Sequence, residues 1–178
     1  MKVSIFRGPT LQLLRYLPLV LWVSEVNAQS CLVLSPPIFS TDGTASMELS
    51  LISAQGKGPA AVQWTFQLQS SSTQNLTVDD GATLISSGKT AMCHRNADVF
   101  NCLAVGANSN TIGNGVIAKL TVLLVPGTTA APIAIGSSLG ASVEGYFVPV
   151  RTNVLFSPGS NASSDCVPRP RGRGVPSK

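Results

Sequence analysis

At 178 residues, with 44% hydrophobic but only 11% charged side chains, the chain is long enough to bury one full core and too aliphatic for a disordered polymer. Its formal charge of +4 resides at the ends: residues 29–167 hold five bases against seven acids, a net charge of about −2. That distribution excludes a basic nucleic-acid stripe on the folded part and places the basicity in terminal segments.

Residues 1–28 read as a secretory signal. Lys2, Arg7 and Arg15 precede the apolar run Leu17–Val23, and Val26-Asn27-Ala28 supplies small residues at −3 and −1 for cleavage before Gln29. The alternative, an uncleaved anchor, would need about 20 apolar residues, and this run is too short. No later segment spans a membrane either, so the expected location is secreted or extracellular, with a bacterial cell surface or periplasm as variants.

Export permits disulfides. The four cysteines, Cys31, Cys93, Cys102 and Cys166, allow three pairings. Cys93 and Cys102 flank the turn-like stretch His94–Asn101, and a hairpin there would bring their Cα atoms within bonding distance. Cys31 and Cys166 would pair if the first and last strands are neighbours. A cysteine metal site is disfavoured by the lack of any CxxC spacing and by a single histidine.

Strand signals then dominate. Met47, Leu49 and Leu51 alternate with polar residues, and Val62, Trp64, Phe66 and Leu68 alternate with Gln63, Thr65, Gln67 and Gln69. Period-two alternation marks half-buried strands and places Trp64 in the core. The turn cluster Gln55–Pro59 between the two runs suggests neighbouring strands joined by a short loop. Further strands are expected at Leu32–Leu34, Leu76–Val78, Thr90–Cys93, Val99–Val105, Gly115–Leu124, Ile133–Ile135, Ala141–Val150 and Asn153–Phe156. About nine short strands with Gly and Pro in the gaps indicate an all-β sandwich over residues 29–157. Residues 158–178, with Pro168-Arg169-Pro170-Arg171-Gly172-Arg173, read as a flexible basic Pro/Gly/Arg tail.

The stretch Ser46–Leu68 resembles the second and third strands of bacterial cohesin-type domains. Asn114–Val122 is similar to a later strand of that family, and Leu139–Ser142 followed by Val148-Pro149-Val150 resembles its last strands. The likeness covers roughly residues 33–155. It implies a nine-stranded jelly-roll sandwich, the fold shared with cellulose-binding modules. It also implies a non-catalytic module that engages a dockerin through the sheet carrying strands three, five, six and eight, or a polysaccharide through exposed aromatics. The chain lacks a dockerin calcium loop, so in any such pair it is the receptor.

Enzymatic chemistry is not expected. His94 is the single histidine and is read as a solvated loop residue. No G-x-S-x-G elbow exists, and Asp79-Asp80 read as a turn before Gly81 rather than as a carboxylate pair across a cleft. Calcium held by Asp79, Asp80 and Asp42 is the minor alternative; no cofactor is expected. The candidate binding face is Gln63, Thr65, Gln67 and Gln69, an uncharged hydrogen-bonding stripe, with Tyr146, since of the strand neighbours Tyr146 and Phe147 one must point outward. Asn108–Thr111 forms a polar loop that could contribute. The expected partner is a protein of dockerin type or a polysaccharide; the alternative is a purely structural envelope or cell-surface component.

Overall fold

The computed structural model describes residues 30–54, 57–128, 130 and 133–154. The leader, the Arg-rich tail and Cys166 lie outside the described residues, as do the expectations placed on them.

In chain order the elements are β1 (Ser30–Leu34), β2 (Ile38–Phe39), β3 (Thr44–Ser53), β4 (Ala61–Leu68), β5 (Thr73–Asp80), α1 (Ala82–Ser86), β6 (Thr90–Asn96), β7 (Val99–Val105), β8 (Gly115–Leu124), β9 (Ile133–Ala141), β10 (Phe147–Val148) and β11 (Val150–Val154). Two of the strands are two-residue pieces; the other nine match the expected count. One sheet runs β11-β1-β3-β8-β5, with β2 beside β3, and the other runs β10-β9-β4-β7-β6. β1 and β11 pair in parallel, Ser30 against Val150 through Leu34 against Val154, while every other pair is antiparallel. The first and last described strands are therefore neighbours, as the Cys31–Cys166 expectation required, and Cys31 stands opposite Arg151.

The two sheets close over one apolar interior. Leu32, Leu34, Leu49, Leu51, Val62, Trp64, Phe66, Ile117, Leu120 and Val122 are essentially inaccessible to solvent. Trp64 and Phe66 meet edge to face, with ring centroids 6.3 Å apart. The alternation along β3, β4, β7 and β8 thus has one cause: each inward side chain gains on the order of 1.5–3 kcal/mol by leaving water.

The expected side-by-side pairing of residues 46–51 and 61–69 is corrected. β3 and β4 belong to opposite sheets, β3 between β1 and β8 and β4 between β7 and β9. An apolar strand face can be covered across the core as well as beside it, so alternation fixes the buried face but not the ladder partner.

The short helix α1 was not foreseen. Leu84 anchors it in the core. It starts at Gly81, where an added Cβ would lie 2.3 Å from the Val116 carbonyl oxygen, so only glycine lets the helix approach β8. It ends at Gly88, with φ +67°, whose N–H donates to Ile85 O while Lys89 N–H donates to Leu84 O. That bond pair is the Schellman ending, which places glycine in the left-handed conformation.

Candidate functional site

The hairpin of β6 and β7 turns at Ala97-Asp98, so His94 to Asn101 is mostly strand rather than loop. His94 sits on β6 opposite Asn101, and Cys93 sits opposite Cys102. Those cysteines form a disulfide with Cα atoms 4.1 Å apart, pinning the edge strand β6 to β7. Arg95 points to the other side, its guanidinium 5.5 Å over the Phe100 ring, donating to Ala97 O at 3.0 Å and to Gln74 O at 3.4 Å.

The ladder registers assemble the outer face of this five-stranded sheet row by row. At one end Thr90 lies beside Val105, and Ala61 beside Ala141 and Phe147. The next row crosses four strands as Met92, Leu103, Gln63 and Leu139. Then come His94, Asn101 and Thr65, and finally Asn96, Val99, Gln67 and Ala134. Phe147 is 70% exposed, Met92 58%, Leu139 43% and Leu103 38%. The face therefore grades from apolar at the β10 end to amide and hydroxyl at the β6–β7 turn. Among the described residues, no Asp, Glu, Lys or Arg alternates onto it.

The opposite outer face is different. Glu48, Lys119 and Asp79 form an acid–base–acid row across β3, β8 and β5, and Arg151 stands exposed on β11. Charged side chains on the strands are thus concentrated on one sheet and absent from the outward positions of the other.

Of the residues picked from the sequence, Gln63, Thr65 and Gln67 do share this face. Thr65 is half-buried because Gly136 on β9 lies against it; a Cβ there would meet Thr65 Oγ1 at 2.4 Å. Gln69 falls beyond β4, where its carbonyl closes the turn by accepting from Ser72 and Thr73 N–H, both at 3.0 Å. Tyr146 lies in the β9–β10 turn, 73% exposed, so it and Phe147 both face solvent instead of alternating. The polar loop is occupied internally: Asn108 Nδ2 donates to Ser87 O and Gly88 O, Asn110 Nδ2 to Ser87 O, and Lys89 Nζ to Asn108 O. The three amide bonds satisfy the Ser87 and Gly88 carbonyls left open just past the end of α1, and the lysine holds the loop in turn. Met92, Leu103 and Leu139 carry no such signal in their own strands' sequence, and Phe147 joins the face beside Tyr146 rather than in its place. Each follows from the same alternation once its strand's partner is known.

The acids do not converge. Asp79 and Asp80 end β5 rather than forming a turn, and Asp80 Oδ1 accepts the Ala91 N–H at 2.7 Å, tying β5 to β6. Asp42 closes its own turn: the Thr44 hydroxyl, then the Thr44 N–H, hold its carboxyl below the usual carboxylate range. Glu144 is lowered likewise by the Ser142 hydroxyl. Among the described residues no three His, Cys, Asp or Glu side chains gather to hold a metal. No helix among them is long and apolar enough to cross a membrane.

The sequence matches no family model and no curated protein. The fold is shared with solved cohesins. The sixth cohesin of scaffoldin B from Acetivibrio cellulolyticus, solved in complex with a Cel5 dockerin, superimposes with a TM-score of 0.59 at 12% identity, over 70% of this chain and 96% of that one. The cohesin of a type I cohesin–dockerin complex from Clostridium thermocellum gives 0.58 at 9% identity, over 71% and 99%. A non-cellulosomal cohesin from the archaeon Archaeoglobus fulgidus gives 0.54 at 10%, over 71% and 87%. The chain has a cohesin-like jelly-roll fold.

Proposed function

We propose that this chain is a secreted, non-catalytic binding module that takes a protein partner of dockerin type on the outer face of its five-stranded sheet. The observation that carries the reading is the absence, among the described residues, of formal charge from that face, together with exposed Met92, Leu103, Leu139 and Phe147. Interface cores are depleted in charge and enriched in aromatic residues and Met, because an uncompensated charge is costly to desolvate whereas thioether, aliphatic and ring surface gains from it. Five strands at about 4.8 Å spacing and about 24 Å of strand length give a footprint of the same order as the roughly 800 Å² a standard interface takes from each partner.

Topology supports the same face. Counting the nine longer strands in chain order, the third, fifth, sixth and eighth are β4, β6, β7 and β9, and all four lie in this sheet. The cohesin resemblance assigns partner binding to those strands.

Calorimetric titration with purified dockerin-bearing proteins, beside sedimentation with insoluble polysaccharides, tests the proposal. Dockerin binding that Leu103→Glu abolishes supports it. Polysaccharide binding lost in Phe147→Ala would favour the glycan reading, which rests on the two exposed aromatics Tyr146 and Phe147. No binding to either class would favour a structural envelope component.

A further inference from the structure

We infer that Cys31 is bonded to Cys166, and that this second disulfide draws the segment after β11 back over the outer face of the six-stranded sheet, closing the sandwich covalently from end to end. Cys31 takes part in a disulfide. Cys93 and Cys102 are joined to each other. Cys166 is the one other cysteine of the chain.

The place of Cys31 in the sheet agrees. Leu32 and Leu34 enter the core, and Ser30 lies beside Val150, which joins it too, so Cys31 stands on the outward side of β1. Its ladder neighbours on that side are accessible: Arg151 of β11 is exposed and Ile52 of β3 half-buried. Cys31 itself is only 3% exposed. A small side chain on an outer face is buried to that extent when further chain lies across it, and a sulfur bond holds chain there. Reach permits the bond. Cys31 is level with Arg151, so Val154 lies about 10 Å beyond it along the strand. The dozen residues from Val154 to Cys166 extend to about 40 Å, and Pro158-Gly159 among them supplies a reversal. The bond forms by exchange with a disulfide oxidant of the class that joins Cys93 to Cys102: the two thiols become one S–S bond and the oxidant leaves as its two thiols. β11 is the edge strand of its sheet, paired with β1 over five residues, and the bridge keeps it from peeling away. With the bridge reduced, tension between the two ends falls on the β1–β11 ladder.

Tryptic mapping of the oxidised full chain without reduction tests the pairing, because each cysteine falls in its own peptide: Cys31 in the one ending at Lys57, Cys93 in 90–95, Cys102 in 96–119 and Cys166 in 152–171. The expected products, from a monomer, are the Cys31 peptide joined to 152–171 and 90–95 joined to 96–119. Free thiols at Cys31 and Cys166, a Cys31 peptide joined to either other cysteine, or a bridge between two chains in a covalent dimer overturns the inference. Melting temperature reads the closure independently. The bridge closes a far longer loop than the sequence separation of 9 between Cys93 and Cys102, so Cys166→Ala should lower the melting temperature roughly twice as far as replacing both of those cysteines by Ala. Under strong reductant Cys166→Ala and wild type should melt together. A Cys166→Ala chain that melts with wild type under oxidising conditions refutes the closure.

Discussion

Trp64 offers a test in which two opposing effects can be weighed. Its ring is fully buried between the sheets, yet its indole Nε1–H is buried without a hydrogen-bond partner. Trp64→Phe removes that donor and leaves a void of about 40 Å³, which at about 24 cal/mol per Å³ costs roughly 1 kcal/mol. Losing some apolar contact adds a similar amount. Against this, an unsatisfied buried donor costs about 1–3 kcal/mol, and the substitution relieves it. The expected net change is within about 1 kcal/mol of zero, whereas Trp64→Ala should lose about 3–5 kcal/mol, since it opens a cavity the size of the ring. Urea unfolding followed by far-ultraviolet circular dichroism measures both, and a common m-value shows that the unfolded states are comparable. A loss above about 2 kcal/mol for Trp64→Phe would mean that the indole N–H is engaged in the folded protein, and the reasoning would be wrong.

Other outcomes are equally concrete. Replacing both Cys93 and Cys102 by Ala should lower stability by about 2–3 kcal/mol by the chain-entropy model, and the loss should vanish when both proteins are measured under strong reductant. Gly81→Ala drives a methyl into the Val116 carbonyl and should cost several times as much as Gly43→Ala, whose added methyl meets nothing within 4 Å and costs only about 1–2 kcal/mol for its left-handed φ of +82°; thermal melts of the two variants side by side decide it. Asp42 has a depressed folded-state pKa, so its contribution to stability is present above the unfolded value near 3.8 and is lost as pH falls through the lower folded one. Thr44→Val should raise the Asp42 carboxyl toward 3.8 in an NMR titration; an unchanged midpoint would remove the hydroxyl as its cause.

Most of the fold was legible because alternation reports burial directly. Val99–Val105 and Gly115–Leu124 were bounded correctly, since each has an apolar residue at every second position and is punctuated by turn residues. What alternation does not encode is the ladder partner, which is why the sequence suggests β3 and β4 as neighbours although they lie in different sheets. It also missed α1: one helical turn offers no periodicity, and its only signals were Gly81, Gly88 and a buried Leu84. The face itself was half visible. Gln63, Thr65 and Gln67 came from one strand's own pattern, but Leu103 and Met92 join them only through the β6–β7 register. Gln69 failed as a stripe residue because β4 ends at Leu68, where its N–H is taken by Asp98 O. A further signal lay unused in the sequence: residues 58–78, 99–118 and 120–143 contain no Asp, Glu, Lys or Arg, and they include β4, β7 and β9.

The parallel ladder between β1 and β11 has a mechanical meaning. Ser30 and Val150 lie at one pole of the sandwich and Leu34 and Val154 at the other, so the polypeptide arrives at one pole and departs from the opposite one. A stretching load transmitted along the backbone therefore slides the two strands past each other lengthwise. All their cross-strand bonds share the force together rather than opening one after another, which is the orientation in which a short ladder resists rupture best.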